Sequence, residues 1–280
     1  MKTFDKSSKL EHVAYDIRGP VLDEANRMIA NGEKILRLNT GNPAEFGFTA
    51  PDEVIRDLIM NVRNSEGYSD SKGIFSARKA IMQYCQLKGF PNVDIDDIYI
   101  GNGVSEMISM SMQALLDDGD EVLVPMPDYP LWTACVSLAG GNAVHYVCDE
   151  KSNWYPDIDD IKSKITSNTK AIVVINPNNP TGMLIPHCLL KKILEKSRKL
   201  GILLVVDECF LDFVKEPQEY SLKRSLSGFN NLFILKAFTK RYAMAGVRLG
   251  YGLCSNRVLL DKMERNVQPW NVSTMAQAAG

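Results

Sequence analysis

Four polar side chains in the second half of the chain have types that can act together in catalysis. In chain order they are Asn179, Asp207, Lys240 and Arg248. A lysine amine condenses with the aldehyde of this cofactor and a carboxylate pairs with its ring nitrogen, while an amide binds the ring hydroxyl and a guanidinium grips the phosphate. The set therefore predicts a pyridoxal phosphate site and amino-group chemistry on small amino and keto acids.

The residues around Asp207 and Lys240 favour these roles. Asp207 follows the apolar run 203–206, where an ionised carboxylate is costly unless a cation lies beside it. Lys240 follows the mostly apolar stretch 232–238, and surroundings that disfavour charge favour the free amine. Taken singly, Asp207 is open to interpretation as a helix cap, and Lys240 and Arg248 as surface charges. The prediction depends on their joint spacing.

The segment 101–106, Gly-Asn-Gly-Val-Ser-Glu, follows a predicted strand and opens a predicted helix. Free backbone N–H groups at a helix start can hold a phosphate. Glu106 stands where the dinucleotide-binding fingerprint has its third glycine, which argues against the alternative of a dehydrogenase.

Tyr129 offers a flat face that can stack on a cofactor ring. Its interpretation as a core aromatic at a turn is equally open.

The composition indicates which kinds of partner and which cellular compartment to expect. The 280 residues are 45% hydrophobic and 24% charged, with 32 basic and 34 acidic side chains and a net charge of -2, so nothing favours nucleic acid or an anionic membrane as partner. No apolar run approaches the roughly 20 residues of a membrane span. We expect a cytoplasmic protein with a small-molecule partner.

Neither metal chemistry nor serine-hydrolase chemistry is indicated. The six cysteines contain no C-x-x-C pair, which argues against a zinc site or a disulfide framework and predicts reduced core thiols. The histidines, His12, His145 and His187, have no metal-ligand spacing. The Gly-x-Ser-x-Gly elbow of serine hydrolases is absent as well.

Short apolar segments alternate with helical periodicities along the chain. The apolar segments that predict buried strands are 98–100, 122–124, 144–147, 171–175, 202–206 and 232–235. This alternation predicts an α/β fold with a largely parallel sheet covered on both faces. A further strand at 249–254 follows a short loop and is expected as an antiparallel edge. Ligands of such sheets lie beyond the carboxyl ends of the strands, where Asn179, Asp207 and Lys240 fall.

Several longer strings resemble a known family. They are Tyr-Asp-Ile-Arg-Gly-Pro at 15–20, Gly-Asn-Pro at 41–43, Gly-Tyr-Ser-Asp-Ser-Lys-Gly at 67–73, Asp-Tyr-Pro-Leu-Trp at 128–132 and Asn-Pro-Asn-Asn-Pro-Thr-Gly at 176–182. The chain resembles the fold-type I pyridoxal-phosphate aminotransferases of class I/II, and its first two-thirds are similar to bacterial alanine aminotransferases. Segments 207–213 and 239–251 look more like histidinol-phosphate aminotransferases and threonine-phosphate decarboxylases.

The resemblance implies a role for each matched position. Lys240 would hold the cofactor covalently and later move a proton at the substrate α-carbon. Asp207 would pair with the ring nitrogen, Asn179 would bind the ring hydroxyl and Tyr129 would stack on the ring. The expected phosphate ligands are Gly103, Val104, Ser105, Thr239 and Arg248, together with Tyr68 from the neighbouring subunit of a homodimer.

Other matched positions concern the ring oxygen and the substrate. Phe210 replaces a tyrosine of the family, which removes one hydrogen bond to the ring oxygen. Gly41 would lie near the substrate carboxylate, and Asn179 would also contact the substrate. Tyr15 and Arg18 are further candidates for substrate recognition, and an arm that packs on the domain is an equally good interpretation of both.

The resemblance also implies a fold and a reaction. Residues 49–280 would form the large domain, a three-layer sandwich around a mostly parallel mixed sheet, and 1–48 an arm and part of the small domain. The family continues beyond the equivalent of residue 280 into the rest of the small domain. We expect a transaminase acting on an alanine-like amino acid and a 2-oxoglutarate-like acid. The alternatives are a decarboxylase of a phosphorylated amino acid and a truncated, cofactor-binding paralogue with little turnover.

Overall fold

The computed structural model of the chain describes residues 7–10, 13, 19–37, 41–90 and 92–280. Tyr15, Arg18 and His12 lie outside these ranges. The helices are α1 (Pro20–Ala30), α2 (Asp52–Asn61), α3 (Phe75–Leu87), α4 (Gly103–Leu115), α5 (Leu131–Leu138), α6 (Ile158–Lys164), α7 (His187–Lys199), α8 (Arg257–Asn266) and α9 (Thr274–Ala279). The strands are β1 (Ile98–Gly101), β2 (Glu121–Met126), β3 (Asn142–Val147), β4 (Thr169–Ile175), β5 (Leu203–Asp207), β6 (Leu232–Ala237) and β7 (Gly250–Cys254).

All the predicted strands join one mixed sheet. Its order is β1-β7-β6-β5-β4-β2-β3. The pairs from β6 through β5, β4 and β2 to β3 are parallel, and β7 runs antiparallel to both of its neighbours. The α/β class with a mostly parallel sheet is confirmed.

The expected position of β7 at the sheet edge is wrong, although its antiparallel direction is confirmed. The strand lies between β1 and β6 and is buried throughout. Its glycines allow this position, because neighbours crowd both of them on one face of the sheet. A Cβ on Gly252 would lie 2.5 Å from the Phe233 ring, and one on Gly250 would lie 2.8 Å from the Val104 backbone nitrogen. The glycine face of the strand is thus covered by helix α4 instead of exposed.

Each face of the sheet has its own core, as the three-layer prediction requires. Val205 packs into the core with α4, α5 and α8, whereas Val206 packs into the core with α3, α6, α7 and α9. Successive side chains of a strand point to opposite faces, so a continuous apolar run fills both cores. We call these the α4 side and the α7 side of the sheet.

The cysteines correct one further expectation. All six are free, and four of them are buried in the core. Cys188 is exposed and Cys209 is only partly buried, so the prediction of core thiols is wrong for Cys188. On α7 the buried positions begin at Leu190, which leaves Cys188 facing solvent.

Among the described helices, none combines the length and the apolar composition that a bilayer crossing requires.

Candidate active site

Asp207 ends the central strand β5 as a buried carboxylate. The residue is 6% exposed, and its Oδ1 accepts a hydrogen bond of 3.0 Å from the backbone N–H of Cys209. Burial raises the pKa of the Asp207 carboxyl, and the hydrogen bonds to Cys209 oppose this only in part. It forms no salt bridge with any described residue. A cation placed against it would therefore gain a strong, desolvated partner.

Lys240 lies in the loop between β6 and β7 and is partly buried. Its Nζ donates to the backbone carbonyl of Gly41, and a Cβ on Gly41 would lie 3.5 Å from that Nζ. Burial lowers the pKa of the Lys240 amine, and the positive charge of Arg248 lowers it further. More of the amine is therefore uncharged, as a nucleophile or a base requires.

Cys209 connects Lys240 to Asp207. Its thiol and backbone N–H both interact with the Asp207 carboxylate, and Cys209 is close enough to Lys240 to affect the pKa of the amine. Cys209 therefore interacts with the acid directly and with the amine through its charge. Sequence analysis missed Cys209, although its position two residues beyond Asp207 could have marked it as a neighbour of the carboxylate.

Arg248 and the start of α4 form a positively polarised corner. Gly103 begins the helix with a φ of +72°, and a Cβ on it would lie 2.6 Å from Nη2 of Arg248. Arg248 is exposed and has a left-handed backbone, with a φ of +59°. The guanidinium thus lies against the first helical turn, which contains Val104 and Ser105. Backbone N–H groups of a first turn have no partner within their helix, so this corner suits an anion.

The 176–182 loop, which contains Asn179, contacts the segment of Tyr129 through Asn178. The side chain of Asn178 donates to the backbone carbonyl of Pro127 at 3.3 Å and accepts from Thr181. Asn179 itself is partly buried. Tyr129 is partly buried and packs on the α4 side. Asn178 thus holds the loop in place. The sequence motif alone did not show which of its asparagines has this structural role.

The remaining predicted residues differ in their surroundings. Thr239 is partly buried directly before Lys240. Phe210 is also partly buried, and its ring lies 6.5 Å from that of Phe213. Tyr68 is 81% exposed, and its ring stacks on Trp270 at 4.1 Å instead of on any described residue of the predicted site. Tyr15 and Arg18 lie outside the described residues.

Beyond the carboxyl ends of its parallel strands, this α/β fold has a buried acid, a lysine with a lowered pKa and a corner that suits an anion. These features define a protein that can hold an anionic, carbonyl-bearing cofactor. The chain belongs to the class I and II aminotransferase family, whose model matches residues 33–280. Glutamate-pyruvate aminotransferase AlaA of Haemophilus influenzae is 54% identical to it over 251 residues, which are 90% of this chain and 62% of that protein. Alanine aminotransferase of Mycobacterium tuberculosis is 49% identical, over 89% of this chain and 58% of the relative.

Solved structures give the same result. An aminotransferase from Escherichia coli superposes with a TM-score of 0.90 at 46% identity, covering 99% of this chain and 70% of that one. Alanine aminotransferase from Pyrococcus furiosus superposes with a TM-score of 0.88 at 33% identity, covering 98% and 71%. The chain spans about 60% of the length of the two sequence relatives. The prediction of a class I/II aminotransferase fold is confirmed.

Proposed function

We propose that the chain transfers an amino group between a small amino acid such as alanine and a 2-oxo acid such as 2-oxoglutarate, with pyridoxal phosphate as the cofactor on which its family depends. The observation that carries the proposal is the Lys240 amine, whose pKa is lowered and whose neighbour Cys209 contacts Asp207. The names of the relatives support alanine and glutamate as amino donors.

The residues fit the cofactor at its charged groups and at its carbonyl. Gly103, Val104, Ser105 and Arg248 would hold the phosphate, because the guanidinium lies so close to Gly103 that a Cβ there would collide with it. Asp207 would pair with the ring nitrogen, since its buried carboxylate forms no salt bridge with a described residue. When bound, the cofactor supplies an electron sink for the bonds at the substrate α-carbon.

The chain supplies the positioning and the proton transfers. Lys240, as an uncharged amine, would accept the proton of the substrate α-carbon and deliver it to the carbon that carried the cofactor's carbonyl group. The Gly41 carbonyl orients this amine through the hydrogen bond that Nζ donates. Asn179 would bind the ring hydroxyl, Tyr129 would stack on the ring, and Thr239 would add a phosphate contact.

Transamination is favoured over decarboxylation of a phosphorylated amino acid. The relatives reported above are named as aminotransferases, and the match to AlaA of Haemophilus influenzae covers 90% of this chain. The local likeness of 207–213 and 239–251 to decarboxylases, with Phe210 in place of tyrosine, stays a prediction.

We further propose a cytoplasmic homodimer with Tyr68 reaching the partner's cofactor phosphate, and Gly41 and Asn179 near the substrate carboxylate. Exposed apolar side chains support a partner chain, since Val21, Leu36 and Tyr68 are 85%, 71% and 81% exposed. The division into an arm at 1–48 and a large domain at 49–280 is also proposed. Helix α1 supports it, because none of its residues is buried.

The visible spectrum of the purified chain loaded with pyridoxal phosphate tests the proposal. Alanine should convert the absorbance to that of the amino form of the cofactor, and 2-oxoglutarate should restore it. Lys240→Ala should abolish both changes. Release of carbon dioxide would indicate the decarboxylase instead, and a cofactor spectrum that neither substrate changes would refute transamination.

A further inference from the structure

A polar cavity separate from the candidate active site lies on the α7 side, behind the ends of β5 and β6. It has a volume of about 270 Å³ and includes Glu208, Asp212, Lys236 and Arg241 in its wall. Glu208 follows Asp207 directly, so their side chains leave the strand end in opposite directions. The cavity shares no residue with the corner formed by Gly103 and Arg248.

Lys223 is a buried cation in the wall of this cavity, and no acid among the described residues forms an ion pair with it. The residue is only 6% exposed. Its Nζ lies 5.3 Å from the centre of the Phe90 ring and 6.0 Å from that of Tyr84. The backbone N–H of Lys223 donates to the Ser221 hydroxyl at 3.2 Å, but its Nζ has no ion pair or hydrogen bond with a described residue. The Nζ is not among the fully enclosed polar atoms of the described residues, so the ammonium faces the open cavity, where the neighbouring aromatic faces help to hold a cation.

The two acids of the cavity wall are already engaged by other partners. Glu208 accepts hydrogen bonds from the Ser221 hydroxyl at 2.9 Å and from the Leu222 backbone at 3.1 Å. Asp212 pairs with Lys236 at 2.9 Å and with Arg241 at 3.2 Å. Lys223 forms an ion pair with neither acid, although its charge lies close enough to lower the pKa of both carboxyls.

Further cations surround the same aromatic rings. Lys88 lies 5.8 Å from the centre of the Tyr84 ring, and Arg241 lies 5.2 Å from it. Arg224 lies 6.0 Å from the centre of the Phe90 ring. In the cavity wall, four basic side chains face two acidic ones, a formal excess of two positive charges. Like charges gathered around one cavity repel one another unless an anion lies between them.

We propose that this cavity binds a small dianion, a phosphate group or a dicarboxylate, with Lys223 as its main charge partner. The volume is just below the range of roughly 300 to 1,000 Å³ of drug-sized pockets, so the ligand has few heavy atoms. Entry is open at one side, where Lys88 and Gln218 are exposed. The site lies directly behind the loop of the reactive lysine, because Arg241 follows Lys240 in the chain.

Calorimetric titration with inorganic phosphate and, separately, with succinate tests this site at constant ionic strength. The protein is used loaded with pyridoxal phosphate, and also as Arg248→Met, so that the cofactor's own phosphate site does not contribute. We expect at least one of the two dianions to bind. Lys223→Met should weaken that binding about tenfold or more, because a charge-assisted contact is lost. The dianion whose binding is weakened by Lys223→Met identifies the class of ligand.

Two further variants make the result specific. Lys223→Arg keeps the charge and should bind within about threefold of the parent, and Lys215→Met, an exposed lysine outside the cavity wall, should leave the affinity unchanged. The proposal fails if neither dianion binds, or if Lys223→Met binds as tightly as the parent. Should Lys223→Met not fold, Lys88→Met must weaken binding relative to Lys215→Met, or the site is refuted. Because no catalytic step is measured, this outcome is independent of the proposed transamination.

Discussion

The end of β5 presents two consecutive buried carboxylates with different surroundings. Glu208, on the α7 side, accepts hydrogen bonds from Ser221 and from the Leu222 backbone and lies near Lys236. Asp207, on the opposite side, accepts a hydrogen bond from the Cys209 backbone and has no salt-bridge partner among the described residues. Burial raises the pKa of both carboxyls. The Glu208 carboxylate is thus satisfied by the fold itself, whereas Asp207 keeps the capacity to stabilise a cation.

Two lysines repeat this contrast, Lys236 in β6 and Lys240 in the loop that follows it. Lys236 is 3% exposed and pairs with Asp212 at 2.9 Å. Lys240 has a carbonyl as its hydrogen-bond partner, and its pKa is lowered. On the α7 side, charge opposes charge within the fold, and on the other side each group is held ready for a partner from outside. The unpaired Lys223 is the exception on the α7 side, which is why a ligand is proposed there.

The lysine pair should give the largest separation between activity and stability. Lys240→Ala should lower kcat/KM for transamination roughly 10³-fold or more, because it removes the nucleophile and the proton carrier. Lys236→Met should instead destabilise the fold by about 3 to 5 kcal/mol, since Asp212 loses a buried partner. Steady-state kinetics and urea unfolding of both variants test this. The contrast is wrong if Lys240→Ala destabilises the chain more than Lys236→Met does.

The carboxylate pair should behave in the same way, with smaller effects. Asp207→Asn should weaken binding of pyridoxal phosphate about 100-fold, because a buried charge pair with the ring nitrogen is lost. Glu208→Gln should leave that affinity nearly unchanged and destabilise the fold by about 1 to 3 kcal/mol, since hydrogen bonds of a buried group are lost. Fluorescence titration with the cofactor and urea unfolding measure the two effects. Equal loss of cofactor affinity in both variants would contradict the contrast.

Much of the fold was predictable because the sheet is buried on both faces. The continuous apolar runs 171–175 and 203–206 have the composition of such strands, and both lie in the sheet. The position of β7 was not predictable from its length or its loop. Whether a short strand lies at an edge depends on what covers it, and here the cover comes from β1 and α4, which are distant in sequence.

Of the candidate site, the positions after the strands were predictable and the partners of each group were not. Asp207 and Lys240 follow apolar strands, so ligand-facing positions could be expected there. That Gly103 lies against Arg248, or that Cys209 affects Lys240, depends on contacts between segments far apart in the sequence. Tyr68 shows the same limit, since its stacking on Trp270 has no counterpart in the local pattern.

A pair of glycines tests whether the corner at α4 is shaped for a phosphate. Gly103 and Gly201 have nearly equal φ angles, +72° and +70°, but a Cβ meets Arg248 only at Gly103 and open space at Gly201. Alanine at either position should destabilise the fold by about 1 kcal/mol, the cost of a left-handed backbone. Only Gly103→Ala should weaken cofactor binding, by about tenfold, because it displaces the guanidinium. Thermal unfolding and cofactor titration of both variants separate strain from displacement. Equal cofactor affinity in the two variants would show that the corner does not hold the phosphate.

The smallest expected effect concerns the charge of Lys240. Its amine captures an aldehyde only when uncharged, and a lowered pKa moves this capture to lower pH than for an ordinary lysine, whose pKa is 10.5. Burial is the larger cause and Arg248 the second. Arg248→Met removes the second cause only, so the pH midpoint of capture should move upward and stay below that of an ordinary lysine.

Pyridoxal without its phosphate is the probe for this shift, because Arg248 then affects the amine and not the affinity for a phosphate. The rate of borohydride-fixed labelling at Lys240 is followed against pH in the parent, in Arg248→Met and in Arg265→Met, an exposed arginine on α8. The midpoint should move only in Arg248→Met. A midpoint that stays fixed or moves downward there would mean that the guanidinium does not act on the amine, and the electrostatic contrast between Lys240 and Lys236 would then rest on burial alone.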